Sequence, residues 1–99
     1  MKISRRVVAV AFGQTLRLAR KSRGLTQDEL AAEAQIDRAY PSLLERGKRT
    51  PTITVILQLA VPLRITPMEL LARAVARNNE LLRRIHRNSK RATVWESYR

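Results

Sequence analysis

The chain has 99 residues, 44% hydrophobic and 4% aromatic, a length and balance that allow one modest helical core with a short extension and argue against a sheet protein. Twenty Lys and Arg, sixteen of them Arg, oppose eight Asp and Glu for a net charge of +12, which calls for a polyanionic partner, nucleic acid or an anionic membrane surface. There is no Cys and one His, which excludes disulfides, thiolate nucleophiles and Cys- or His-built metal sites, and no cofactor is expected.

The first helical pattern sets Val8, Phe12, Leu16 and Ala19 on one face, and Gly24 ends it behind a basic last turn. The apolar run over residues 7–12 is too short for a signal-peptide core, and nothing approaches the roughly 20 apolar residues of a membrane span. A soluble, cytoplasmic, nucleoid-associated protein without a membrane partner is therefore expected. Thr26 and Glu29 form the capping-box spacing of a second helix ending near Ala34, with Leu30, Ala31 and Ala34 inward. Gln35 and Ile36 make a tight connection. Asp37 then offers the N-cap of a third helix over 37–46, stopped by Gly47. Pro41 falls in its first turn, where the missing N–H costs least.

A fourth helix opens at Thr50-Pro51-Thr52 and carries Ile53, Ile56, Leu57, Ala60 and Leu63, with Pro62 kinking or ending it. The fifth has Thr66 as N-cap, Pro67 at its first position and Glu69 completing a second capping box. It can continue through Leu70, Leu71, Ala74, Val75, Leu81, Leu82 and Ile85. Residues 73–99 hold eight basic and two acidic side chains, half of the total excess charge. In that stretch Leu71, Asn78 and Ile85 recur every seven residues, as do Ala74 and Leu81. This fits a coiled-coil seam with a polar Asn, and it fits equally well a face packed on its own domain. Beyond residue 88 the chain is either disordered or clasps a partner through Trp95. The expected division is a domain over 1–72 and a basic helical extension over 73–99 with a possible protein partner.

Two short helices joined by a tight turn, the first capped by Thr-Gln, are the local pattern of a DNA-reading helix-turn-helix. The stretches Gly13-x-x-Leu16-Arg17-x-Ala19-Arg20, Gly24-Leu25-Thr26-Gln27-x-x-Leu30-Ala31, Ile36-x-Arg38-x-Tyr40, Leu44-Glu45-Arg46-Gly47-Lys48-Arg49-x-Pro51 and Leu70-Leu71 carry a further resemblance. Over residues 13–71 the chain resembles the lambda-repressor-like, XRE-type helix-turn-helix family of bacterial and phage regulators. The resemblance implies an all-α, five-helix DNA-binding domain whose second and third helices form the reading pair. Gln27 would clamp a phosphate and brace the third helix. Arg38 and Ala39 would stand at the exposed start of the recognition helix, followed by Ser42 and Leu43. Arg20 and Glu45 would pair internally and serve structure. Pro41 stands where the family usually has an aliphatic core residue, so the third helix is expected to tilt or start late. Pro62 and Arg64 stand where Ala and Gly are common, which leaves the turn after the fourth helix open.

Groove chemistry gives these positions roles of their own. The Arg38 fork suits guanine O6 and N7, a match worth about 1–3 kcal/mol against a wrong base. Ala39 and Leu43 can touch a thymine methyl, Ser42 can donate to a base, and Leu43 also has a core-packing reading. Thr26, Gln27, Tyr40, Arg46, Lys48, Arg49 and Thr50 are assigned to phosphates. Asp28, Glu29 and Glu33 follow capping and helix-dipole rules, not acid–base spacing, and His86 has no ligand partner.

The leading functional reading is a sequence-specific regulator of transcription, a repressor, bound as a homodimer to duplex DNA. The alternative is the antitoxin half of a toxin–antitoxin pair, which binds its own operator and masks a toxin with 73–99. A basic amphipathic membrane-surface helix over 70–91 is a third, disfavoured by Glu80, Asn78 and Asn79. No nucleophile–base set or phosphate-cradling Gly loop supports an enzyme.

Overall fold

A computed structural model describes residues 3–92, and every regular element among them is helical. Helix α1 spans Arg5–Ser22, α2 Gln27–Ala34, α3 Tyr40–Glu45, α4 Ile53–Leu63 and α5 Pro67–Ala92. Hydroxyl caps start four of the five. Ser4 Oγ accepts from the Val7 N–H at 3.3 Å, Thr26 Oγ1 from Glu29 at 3.0 Å, Thr52 Oγ1 from Val55 at 3.1 Å and Thr66 Oγ1 from Glu69 at 3.0 Å. Each satisfies one of the N–H groups that a first helical turn leaves without an internal partner. Glu29 closes the box on α2 by accepting from the Thr26 N–H at 2.9 Å, whereas the Glu69 carboxylate pairs with Arg73 at 3.0 Å.

The third helix departs from the expected span over 37–46. Asp37 does not cap it: Asp37 Oδ1 accepts from the Ala39 N–H at 2.8 Å and its carbonyl from the Tyr40 N–H at 3.0 Å, closing a turn. Ala39 is the N-cap, with no side-chain hydrogen bond, and Pro41 lies in the first turn. An α-helix capped at Asp37 would need the Pro41 N–H to bond the Asp37 carbonyl, and proline has none. The helix therefore starts late. Pro41 is itself fully buried, filling the space an aliphatic side chain would take.

The core gathers Phe12, Leu16 and Ala19 from α1, Leu30 and Ala34 from α2, and Leu44 from α3. Val55, Leu59 and Leu63 join from α4, and Leu70 and Ala74 from α5. Val8, expected on the buried stripe of α1, is only half-buried. In α4 the expected Ala60 and Leu63 are buried and Ile56 is half-buried, but Ile53 and Leu57 face solvent while Val55, Leu59 and Pro62 turn inward. Pro62 ends the helix within one residue, and Arg64 follows in the left-handed region at φ 56°.

Helix α1 packs on α3 and α5, and α2 on α3 and α4. Gly13 makes the first of these contacts possible: a Cβ there would fall on the Leu44 carbonyl oxygen and within 2.8 Å of that of Glu45. Helix α5 passes residue 72 without a break, burying Ala74 and Asn78, and it is the reason the molecule measures 50 × 23 × 23 Å. Asn78 thus packs on its own domain, while Leu71 and Ile85 remain exposed. The helix also runs past residue 88 to Ala92. The expectations for residues 93–99, Trp95 included, lie outside the described residues.

Candidate nucleic-acid interface

The tight turn after α2 depends on Gln35, in the left-handed region at φ 58°, whose N–H bonds back to the Ala32 carbonyl. It throws the chain across to α3, so that α2 and α3 lie against each other with the 36–39 turn at one end. Arg38 and Ala39, at that end, are exposed, whereas Ser42 and Leu43, one turn further on, are half-buried. The expected reading residues therefore divide by depth. The first two are open to solvent; the second two show only part of their surface.

What fixes α3 against α2 is a buried polar cluster. Arg20 Nε donates to Glu45 Oε2 at 2.6 Å and Nη2 to Oε1 at 2.9 Å, a two-pronged pair whose side chains are 11% and 4% exposed. Arg20 Nη1 also donates to the Leu25 carbonyl at 2.8 Å, and Gln27 Nε2 reaches the same Glu45 Oε1 at 3.1 Å. One carboxylate thus ties the end of α3 to α1 and to the first residue of α2. The hydrogen bonds to Glu45 raise the Arg20 pKa above its ordinary value against the effect of burial, so the guanidinium keeps its charge. Gln27 has the bracing contact expected of it.

The remaining candidates line the rim. Thr26 is exposed, with its side chain engaged in the α2 cap. Tyr40 is half-buried against the core edge. Arg46 is exposed and its Nε donates to the Ser42 carbonyl at 3.3 Å. Lys48, Arg49 and Thr50 follow, all exposed. This loop is held back on α3 by two backbone bonds, Gly47 N–H to the Leu44 carbonyl at 3.1 Å and Lys48 N–H to that of Leu43 at 2.9 Å. Gly47 takes φ 69° there, and a Cβ would come within 3.1 Å of Val10 Cγ2. A rigid helix end followed by a pinned basic loop is suited to hold phosphates at fixed register.

One contact was not foreseen. Arg38 donates from Nε to Asp28 Oδ1 at 3.2 Å and from Nη2 to Oδ2 at 2.9 Å, with both side chains open to solvent. The Asp28 hydrogen bonds and charge raise the Arg38 pKa. The residues are ten positions apart, and only the turn at Gln35 brings them together. A second unforeseen feature lies away from the turn: Ile53, Leu57 and Val61, at spacings of four, form an exposed apolar stripe on α4, and Met68, Leu71 and Val75 another on α5. Among the described residues no group of three or more His, Cys, Asp and Glu could hold a metal ion, and no single helix is long and apolar enough to cross a membrane.

Comparison with known proteins agrees with this geometry. The chain is 41% identical over 51 residues to an uncharacterised HTH-type transcriptional regulator, y4dJ, of Sinorhizobium fredii, a match spanning 52% of this chain and 66% of that protein. It is similar to the crystal structure of the restriction-modification controller protein C.AhdI from Aeromonas hydrophila, with 45% identity and a TM-score of 0.60 over 63% of this chain and 94% of that one. The clp gene regulator ClgR from Corynebacterium glutamicum superposes over more of the molecule, 89% of this chain and 92% of its own, with 25% identity and a TM-score of 0.71. The family model described as Helix-turn-helix matches residues 16–70, more than half of the sequence. The chain belongs to the helix-turn-helix family of DNA-binding transcriptional regulators.

Proposed function

We propose that the protein represses transcription by binding, as a homodimer, to a two-fold-related duplex site, entering the major groove with the 36–39 turn and α3. The observation that carries this reading is the exposed placement of Arg38 and Ala39 at the leading end of a helix braced through Glu45. Arg38 reads a guanine edge, Ala39 and the exposed part of Leu43 meet thymine methyls, and Ser42 donates to a neighbouring base. Thr26, Gln27, Tyr40, Arg46, Lys48, Arg49 and Thr50 hold the flanking phosphates. The contact belongs to the domain over 1–72, completed by the Ala74 turn of α5, and the extension over 73–99 offers surface to a protein partner. No enzymatic step is part of this function.

Dimerisation follows from two considerations. One short recognition helix reads only a few base pairs, so a useful specificity ratio needs two helices about one DNA turn apart. The chain also offers a surface on which two copies of charge +12 can approach. Over Ile53–Leu63 helix α4 has no charged residue, and its outward Ile53 and Val61 are 78% and 73% exposed. Exposed apolar surface of this kind marks an association site.

Selection of bound sequences from a random DNA pool, with quantitative gel shifts on the winners, tests the proposal. A two-fold-related motif with half-sites about one turn apart is the expected result. Equal affinity for every duplex at fixed salt overturns it.

A further inference from the structure

We infer that Asp28 is a specificity-determining residue of this regulator, which grips one edge of the Arg38 guanidinium and presents the other edge to guanine. The inference rests on the assignment of Arg38 as a base reader. Its physical content is in the atoms. A guanidinium has five N–H donors in one plane, grouped as a side edge (Nε with Nη2) and an end edge (Nη1 with Nη2). Asp28 takes the side edge, with Oδ1 on Nε and Oδ2 on Nη2. The end edge keeps three N–H groups, two of them parallel, the arrangement that matches guanine O6 and N7. Arg38 is 83% exposed at its side chain, and among the described residues its side-chain hydrogen bonds go to Asp28 alone, which leaves the end edge open.

Two consequences separate this arrangement from an ordinary surface ion pair. An unheld arginine at a groove mouth has many rotamers and finds phosphates as readily as bases. Restriction of Arg38 by Asp28 removes rotamer entropy before DNA arrives and directs the free edge toward one acceptor pair. Asp28 also places a negative charge, its side chain 60% exposed, beside the surface that meets phosphates. That charge weakens contact with any duplex, and the Arg38 bond to guanine offsets it only at the correct site. Asp28 therefore lowers non-specific affinity and raises discrimination together. Its position in the first turn of α2 supplies the rigid anchor.

The test uses the full chain with Asp28→Ala, Asp28→Asn, Arg38→Ala and the double variant Asp28→Ala/Arg38→Ala. Binding is measured on the selected site, on the site with the Arg38-contacted guanine replaced, and on unrelated duplex over a range of salt. Thermal melts confirm that each variant is folded; both side chains are exposed, so small changes are expected. Asp28→Ala is expected to bind unrelated duplex several-fold more tightly. Its salt dependence should steepen by about one unit as Arg38 turns to a phosphate. Preference for the guanine should fall by roughly tenfold. Asp28→Asn, which cannot accept two N–H bonds in this way, should follow it. In the Arg38→Ala background the Asp28 substitution should leave base preference unchanged. If Asp28→Ala tightens binding to all duplexes by one common factor, Asp28 is a charge brake alone and the inference fails. It fails equally if the double variant loses preference beyond Arg38→Ala. If Arg38→Ala itself leaves base preference intact, the failure is that of the reading helix.

Discussion

At the scale of single residues, the Arg20–Glu45 pair matters more than its count of hydrogen bonds suggests, because it is buried. A buried ion pair adds little net stability over an apolar replacement, yet removal of one partner leaves an uncompensated charge and costs about 3–5 kcal/mol. Arg20→Ala is therefore expected to be strongly destabilising in urea melts. Arg20→Lys should recover only part of the loss, since a lysine cannot make the two-pronged bond. Gly13→Ala tests the same joint from the backbone side. The added methyl meets two carbonyl oxygens of α3, which side-chain repacking cannot relieve, so a loss of about 1–3 kcal/mol or more is expected. The residues of this joint were legible in the sequence because Arg20, Gln27 and Glu45 match a family pattern. The Asp28–Arg38 bond was not. Asp28 has a sufficient local explanation in the positive end of α2, and no periodicity connects a residue in one helix with one beyond the next turn.

At the scale of elements, the sequence carries starts and stops better than faces. The Ser4, Thr26, Thr52 and Thr66 caps are local events, with hydroxyl and N–H within three residues, and three of the four helix starts they mark were expected. For α3 the cap signal at Asp37 points too early, because Asp37 looks like a cap only when the hydrogen bond removed by Pro41 is treated as a mild loss, whereas the departure from the family pattern at Pro41 correctly points to a late start. The orientation of α4 was readable only in part: Ala60 and Leu63 turn inward as expected and Ile53 and Leu57 do not, because Ile, Val and Leu occur on every side of the helix. Two measurements probe the element ends. Arg64 occupies a left-handed position that costs a side-chain-bearing residue about 1–2 kcal/mol relative to glycine. Arg64→Gly should therefore raise the melting temperature despite the added freedom of the unfolded chain. The α2 cap responds to acid. The Glu29 carboxyl is held below its usual pKa by the Thr26 backbone N–H and then by the Thr26 hydroxyl. Its contribution is present above the ordinary glutamate value near pH 4.3 and fades as pH falls through the lower folded value. The melting-temperature gap between the native chain and Glu29→Gln should be constant near neutrality and close in that acidic window. A gap that does not narrow as the pH falls below the ordinary glutamate value would refute the assignment.

At the scale of the whole molecule, the proposed dimer rests on α4, whose exposed face is apolar and without charge. The loop after α3 carries the exposed Lys48 and Arg49, while α4 has no charged residue and exposes Ile53, Leu57 and Val61. A two-fold interface uses each residue twice, so a single substitution there counts double. Burial of one leucine is worth about 1.5–3 kcal/mol, and Leu57→Asp removes two of them and adds two like charges at close range. The native chain should sediment as a dimer at concentrations where Leu57→Asp sediments as a monomer. Because Leu57 is exposed in the single chain, the variant domain should remain folded, its melting temperature lowered only by the lost stabilisation of association. Affinity for the complete two-fold site should fall by roughly a hundredfold or more, following about tenfold per 1.4 kcal/mol. Affinity for an isolated half-site should stay the same, because the reading helix and its Glu45 brace are untouched. If the variant loses half-site binding in equal measure, the α4 stripe supports the fold of the reading unit, and the dimer must form elsewhere.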